Sequence, residues 1–223
     1  SGKERADDHL RRAERLWTTV LPRKAPAEPR LWLFDDDAAR WRQQVGSVAH
    51  MLGGPDLEKV VLARAVRAAS DQLLQPHHAL VFLRSAYPDC FLYSFSRGER
   101  TFLGATPEQL VRFVDGDIET MCLAGSIRRG ATPEEDESLG RTLLQDAKER
   151  REHYLVVQAI RTALAGVCEG LNHPDEPTLL KLGNVQHLFT PVRARRRDGH
   201  TILDVVERLH PTPAVGGTPR EAA

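Results

Sequence analysis

Several features are scarce in this 223-residue chain, and each scarcity closes off a class of protein. Its three cysteines, Cys90, Cys122 and Cys168, are too widely spaced for a CxxC pair. That leaves no zinc or redox motif and points to buried free thiols in a reducing compartment. No apolar run approaches the roughly 18–20 residues that span a bilayer, and the opening Ser1-Gly2-Lys3-Glu4-Arg5 lacks the apolar segment of a secretory signal. Charge of one sign is not in excess either, since 31 basic side chains balance 31 acidic ones. No overall field draws the chain to nucleic acid or to an anionic membrane. The expectation is a cytoplasmic protein without nucleic-acid or membrane partners, its oligomeric state open and a monomer included. The local basic run Arg193–Arg197, broken by Ala194 and followed by Asp198-Gly199, reads as a solvated strand end and turn. An initial Met is also missing, so the natural start is expected to lie upstream.

What is present suffices for one sizeable core or two small ones, with 41% hydrophobic and 28% charged residues. Residues 4–20 carry helical spacing, and a Pro-rich, charged stretch over 21–30 ends it. A short apolar run, Leu31–Phe34, meets Asp35-Asp36-Asp37, read as an N-cap and acidic first turn of a helix over Ala38–Leu52. Residues 1–56 are therefore expected to form a helical and linker region, and 57–223 the main domain. Short Val-, Leu- and Phe-rich runs predict strands at Lys59–Val66, Ala79–Arg84, Phe91–Ser96, Thr101–Leu103, Gln109–Val114 and Ile118–Leu123. Hairpin turns are expected at Arg97-Gly98-Glu99 and Asp115-Gly116-Asp117. Thr132-Pro133-Glu134-Glu135 opens a helix, and a longer one over about Gln145–Cys168 carries the apolar stripe Leu155, Val156, Ala159, Ile160 and Leu164. Leu179–Arg193 reads as extended chain and Ile202–Leu209 as a short helix. The order of strands, helices, strand and helix indicates an α+β fold, with layered antiparallel sheets and helices.

Few residues stand out chemically, and each has an ordinary structural explanation beside the functional one. Lys59 lies on a strand face with Val61, Ala63 and Ala65. A lysine desolvated there would serve as a general base, while one at a strand end would reach solvent. Glu108, in the turn Gly104-Ala105-Thr106-Pro107-Glu108, would act as an acid if held against apolar neighbours, and is otherwise an exposed loop residue. Lys148-Glu149-Arg150-Arg151-Glu152-His153 places Glu149 four residues before His153, without the HExxH zinc pattern. Its glutamates suit magnesium, which takes one or two carboxylates, or form a solvated helix face. His187 and His210, taken singly, are structural.

The order and wording of six segments resemble the chorismate-utilising family of isochorismate, anthranilate, salicylate and aminodeoxychorismate synthases. The segments are Lys59-Val60-Val61-Leu62-Ala63-Arg64, Gly104 through Glu108, Leu123-Ala124-Gly125-Ser126, Lys148 through His153, Asn184-Val185-Gln186-His187-Leu188, and Leu209 through Gly217. The resemblance implies a layered α+β fold with a pocket for chorismate and magnesium between sheet and helices. It further implies Lys59 as the base that activates water for attack at C2, and Glu108 as the acid that protonates the departing C4 hydroxyl. Glu152 is implied as a magnesium ligand, His187 as a wall beside the substrate ring, and Gly125, Ser126 and Ala214 as further substrate contacts. Lys59, Ala124 and Ala214 resemble the isochorismate synthases more than the ammonia-using, salicylate-forming or aminodeoxychorismate-forming members.

Two departures from the family are conservative, Glu149 in place of aspartate and Ser126 in place of threonine. A larger one lies after Arg220, where the family usually continues through a Gly-Trp segment, an arginine-bearing strand, a Gly-rich loop and a second metal-binding glutamate. The expectation is an isochorismate synthase represented here by a C-terminally incomplete piece. The alternatives are another chorismate-utilising enzyme of the salicylate or anthranilate synthase type, or a non-catalytic fragment that binds a partner or metabolite.

Overall fold

Strict alternation along Val185–Arg196, with Gln186, Leu188, Thr190, Val192 and Ala194 buried, fits a strand covered by helices on one face. The computed structural model describes residues 30–34, 37–52 and 57–223, which divide between two units. The expected helix over 4–20 lies outside the described residues, and the expected boundary at 56/57 borders another such stretch, 53–56.

One unit joins Ser1–Phe34 with Val66–Leu74. Its described strands, β1 (Leu31–Phe34) and a later segment Arg67–Ser70, pair antiparallel with Leu31 opposite Ser70.

The other unit, Asp35–Ala65 with Gln75–Ala223, contains the rest. Helix α1 (Ala38–Met51) starts at Asp37, whose side chain makes no capping bond, and its first turn holds no acid, unlike the expected acidic start. Strand β2 (Lys59–Val60) is only two residues long, so the predicted strand over Lys59–Val66 stops early. With Arg67–Ser70 counted as β3, helix α2 (Pro76–Ala86) follows where a strand was expected over Ala79–Arg84. Pro76 in its first turn is pre-set for a helix, and the apolar run behind it is equally compatible with one. Strands β4 (Phe91–Arg97) and β5 (Arg100–Thr106) form the expected hairpin about Gly98, with Phe95 opposite Phe102. Both phenylalanines are exposed.

The five-stranded sheet takes β6 (Arg112–Val114), β7 (Asp117–Arg128), β8 (Cys168–Asn172), β9 (Thr178–Lys181) and β10 (Val185–Arg196). Its order is β6-β7-β10-β8, with β9 also paired to β10. Asp115 (φ 51°) and Gly116 (φ 91°) make the tight β6–β7 turn, with the positive φ at both central positions that a type I′ hairpin requires. The extended run expected over Leu179–Arg193 is in fact β9 and β10, separated by Leu182–Asn184. At the far end of β10, Arg193 and Arg195 are exposed and lie 3.5 Å from Glu119 and 3.9 Å from Asp117, as expected for a surface run.

Helices α3 (Pro133–Gln145), α4 (Ala147–Leu164) and α5 (Ile202–Leu209) start at Thr132, Asp146 and Thr201. The Thr132 side chain accepts from Glu135 N, that of Asp146 from Glu149 N, and Thr201 forms a full capping box with Asp204. The buried stripe of α4 is His153, Val156, Val157, Ile160 and Leu164, rotated from the expected one, with Leu155 and Ala159 half-buried. It packs against Ile118, Cys122, Ala124, Val192 and Ala194 of the sheet and Val205 and Leu209 of α5. Each large aliphatic truncated here would cost about 2–5 kcal/mol. Cys122 and Cys168 are buried and Cys90 is half-buried, all three free. Among the described residues, no helix is long and apolar enough to cross a membrane.

Candidate active site

The short strand β2 is held by β11 (Gly217–Thr218), Lys59 pairing with Thr218 and Val60 with Gly217. Val61 N also donates to Gly216 O at 2.7 Å. This joins the first and last segments of the unit and fixes where Lys59 leaves the backbone. The lysine side chain is only 7% exposed, and its Nζ donates to Pro213 O at 2.6 Å and lies 3.1 Å from Glu152 Oε1. The base expected from one segment, the metal ligand expected from a second and the Pro213-Ala214 turn of a third therefore converge on one ammonium group.

Glu108 sits in the half-buried loop after β5, its N–H donating to Thr106 Oγ1 at 3.2 Å. Burial raises its carboxyl pKa above the ordinary range, the direction a proton donor needs. Burial also raises the Cys122 thiol, with a further push from the charge of Glu108 and an opposing pull from Lys59.

A β-bulge shapes the opposite side of the site. The register of β7 against β10 shifts between His187, opposite Ser126, and Phe189, opposite Leu123. Two residues of β7, Ala124 and Gly125, thus face the single Leu188. Gly125 adopts φ +87°, and a Cβ there would stand 3.0 Å from Leu188 Cδ1 and 3.3 Å from Glu149 Oε2. The extra residue turns Ser126 to the face of His187, and Ser126 Oγ lies 2.7 Å from His187 Nδ1. Ser126 N donates to Glu149 Oε2 at 3.3 Å, tying the bulge to the first turn of α4. Burial lowers the His187 pKa, favouring a neutral ring.

Glu149 and Glu152, three residues apart on α4, are the carboxylates here that could take part in holding a cation. Among the described residues, no cluster of three or more His, Cys, Asp or Glu could hold one unaided. Two carboxylates fit magnesium, which keeps several waters and takes further oxygens from a substrate.

Sequence reasoning missed the support beneath these groups. His153 turns into the core, where burial lowers its pKa. Asp136 accepts from Arg129 Nε at 2.6 Å, Gly130 N at 3.0 Å, Lys181 Nζ at 3.0 Å and Gln186 Nε2 at 3.1 Å. It thus anchors the residue that precedes His187. The signal for His153 was available, since it is the polar member of an otherwise apolar stripe. Asp136 gave none, being one of several acids at a helix start. Two cavities, about 410 Å³ beside Leu155, Arg208 and Thr212 and about 250 Å³ beside Arg150, His173 and Thr190, are lined by neither Lys59, Glu108 nor His187.

Comparison with known proteins shows the family and the fold. The model of the chorismate binding enzyme family matches residues 3–223. The chain belongs to that family. It is 44% identical over 206 residues to a salicylate biosynthesis isochorismate synthase of Pseudomonas aeruginosa, covering 90% of this chain and 43% of that one. To the isochorismate synthase MenF of Bacillus subtilis it is 37% identical over 187 residues, covering 84% and 40%. The structure of MenF, the menaquinone-specific isochorismate synthase from Escherichia coli, superposes with TM-score 0.79 at 27% identity, covering 94% of this chain and 50% of that one. The α+β architecture read from the sequence is thus the family's. The chain spans about half the length of these relatives or less.

Proposed function

We propose that this chain carries the acid–base half of an isochorismate synthase site, which converts chorismate to isochorismate. The observation that supports it best is the meeting of Lys59 with Glu152 at 3.1 Å, in a chain whose Glu108 carboxyl has its pKa raised by burial. In this reading the Lys59 amine takes a proton from water as the oxygen attacks C2 of the ring. The C1–C2 double bond moves to C1–C6 and the C5–C6 double bond to C4–C5 as the C4–oxygen bond breaks, and Glu108 gives its proton to the departing C4 hydroxyl, which leaves as water. One water enters and one leaves, so the reaction is an isomerisation, and no redox partner is needed. A base and an acid in separate environments on one site are the arrangement such chemistry uses.

Glu152, with Glu149 one turn earlier, would hold a magnesium ion. Bound there, the ion supplies positive charge for the substrate carboxylate. His187 and Ser126 form a polar wall set by the bulge, and Gly125 and Ala214 leave room beside the ring. The small Ala214 and the apolar Ala124 support the water-adding reading over the other family reactions.

The test is incubation of the chain, and of any longer polypeptide encoded around it, with chorismate and Mg²⁺, followed by proton NMR. Isochorismate is the expected product. Salicylate with pyruvate, or anthranilate when ammonia is supplied, would move the protein to another branch, and no product from either polypeptide would sink the enzymatic reading.

A further inference from the structure

The buried stripe of α4 would be wholly apolar but for His153, which is 3% exposed. A polar ring in that position is costly unless its nitrogens are satisfied. Both are. Nδ1 lies 2.9 Å from Ala124 O, and Nε2 lies 2.8 Å from Thr190 Oγ1. A carbonyl can only accept, so Nδ1 carries the proton, and in the neutral ring Nε2 then accepts from the Thr190 hydroxyl. The Cys122 thiol, which pairs in register with Thr190, closes the third side at 3.5 Å from Nδ1.

The partners of this ring matter more than its burial. Ala124 opens the β7 bulge and immediately precedes Gly125 and Ser126. Thr190 lies on β10 beyond the bulge from His187, and His153 itself follows Glu152. One side chain is therefore bonded both to the bulge, at Ala124, and to β10, at Thr190. A bulge leaves its extra residue outside the regular ladder, so its position depends on contacts from other elements. Here α4 supplies two of them, His153 to Ala124 O and Glu149 to Ser126 N. A carboxylate occupied with a cation would be drawn from the Ser126 amide, whereas the imidazole contact would persist.

We propose that His153 is a positioning residue. Through its Nδ1–H to Ala124 and its Nε2 to Thr190, it holds the bulge in register beneath α4, so that Ser126 and the Glu149–Glu152 row keep their relative places when a cation binds. The role of Glu152 in this statement rests on the function proposed above, while the hold on the bulge does not.

The variants separate shape from hydrogen bonding. H153F keeps the bulk and loses both bonds, and H153N keeps a donor near the Nδ1 position. T190V removes the bond to Nε2, and T190S restores it. Amide hydrogen exchange at Gly125 and Ser126 is expected to quicken by about tenfold or more in H153F and to return toward wild type in H153N. Magnesium binding, measured by calorimetry without substrate, is expected to weaken by roughly tenfold in H153F, the scale of a lost supporting bond at a metal site. T190V should show a smaller effect that T190S reverses. Nitrogen-15 shifts of the wild-type ring should place its proton on Nδ1. Unchanged exchange at Gly125 and Ser126 in H153F, or a proton found on Nε2, would overturn the proposal whether or not magnesium binds. If wild type binds no magnesium while the exchange results hold, the reading of Glu152 fails and the positioning role stands.

Discussion

Lys59 Nζ lies 3.1 Å from Glu152 Oε1, joining a two-residue strand to the second turn of helix α4. The pair makes the proposed base and the proposed cation ligand electrostatic neighbours, so neither can be altered without the other responding. Replacing Lys59 by Met is expected to lower kcat by about 10²–10⁴-fold, the range lost with a positioned general base. Glu152→Gln should instead raise the magnesium concentration needed for half-maximal rate. The double variant should lose less than the product of the two, because residues in direct contact couple. Steady-state assays of isochorismate formation across a magnesium series would check all three outcomes.

Glu108 makes a prediction about pH. Burial raises its carboxyl pKa in the folded protein, so the folded state holds this proton more tightly than the unfolded state does. The stability tied to that proton is fully present below the ordinary glutamate range and is lost as pH rises through the raised folded value. Glu108→Gln carries no such group. Its melting temperature relative to wild type should therefore rise with pH across that window and then level off. The variant should also lose the alkaline limb of the rate profile along with most of its activity. Thermal melts of both proteins from about pH 4 to pH 8 would read the difference.

How much of this was legible in the sequence depends on whether local or distant contacts set each feature. The α5 helix over Ile202–Leu209 appeared at its expected bounds because its capping residues, Thr201 and Asp204, are its own neighbours. The Gly98 and Gly116 turns followed for the same reason. The strand expected over Ala79–Arg84 became part of a helix, since a short apolar run fits either period and Pro76 decided it. The run after Val60 left the strand because its pairing partner, β11, is itself only two residues long. For the site, the residue types at Lys59, Glu108 and Glu152 were visible through family resemblance. The bulge at Ala124-Gly125 and the Asp136 anchor arise from packing between distant elements, which no local pattern reports, whereas the inward turn of His153 was open to reading from its place in the α4 stripe.

Gly125 offers a test of the bulge. An alanine there must adopt φ near +87°, and its methyl would press on Leu188 and crowd the Glu149 carboxylate. Left-handed backbone costs about 1–2 kcal/mol for a residue with a Cβ. Gly125→Ala should lose at least that much stability in urea unfolding. Its KM for chorismate should rise more than that of a variant equally destabilised elsewhere, for example Val205→Ala in the core.

Asp136 predicts the acid side of the stability profile. Its carboxylate takes hydrogen bonds from Arg129, the Gly130 amide, Lys181 and Gln186, and these hold its pKa well below the usual aspartate range, the Arg129 bond contributing most. A depressed folded pKa means that the unfolded chain binds the proton more readily. The resulting stability is present above the ordinary aspartate value and is lost as pH falls toward the depressed one. Asp136→Asn removes the charge at every pH. It should melt roughly 5 °C or more below wild type at neutral pH, with the gap closing as acid protonates the wild-type group. Because Gln186 precedes His187, the variant should also weaken chorismate binding at neutral pH. Asp136→Glu, which keeps the charge but displaces it by one methylene, should recover part of the melting temperature and less of the binding. Equal recovery of both would mean that charge alone, and not the placement of Gln186, is what Asp136 provides to the site.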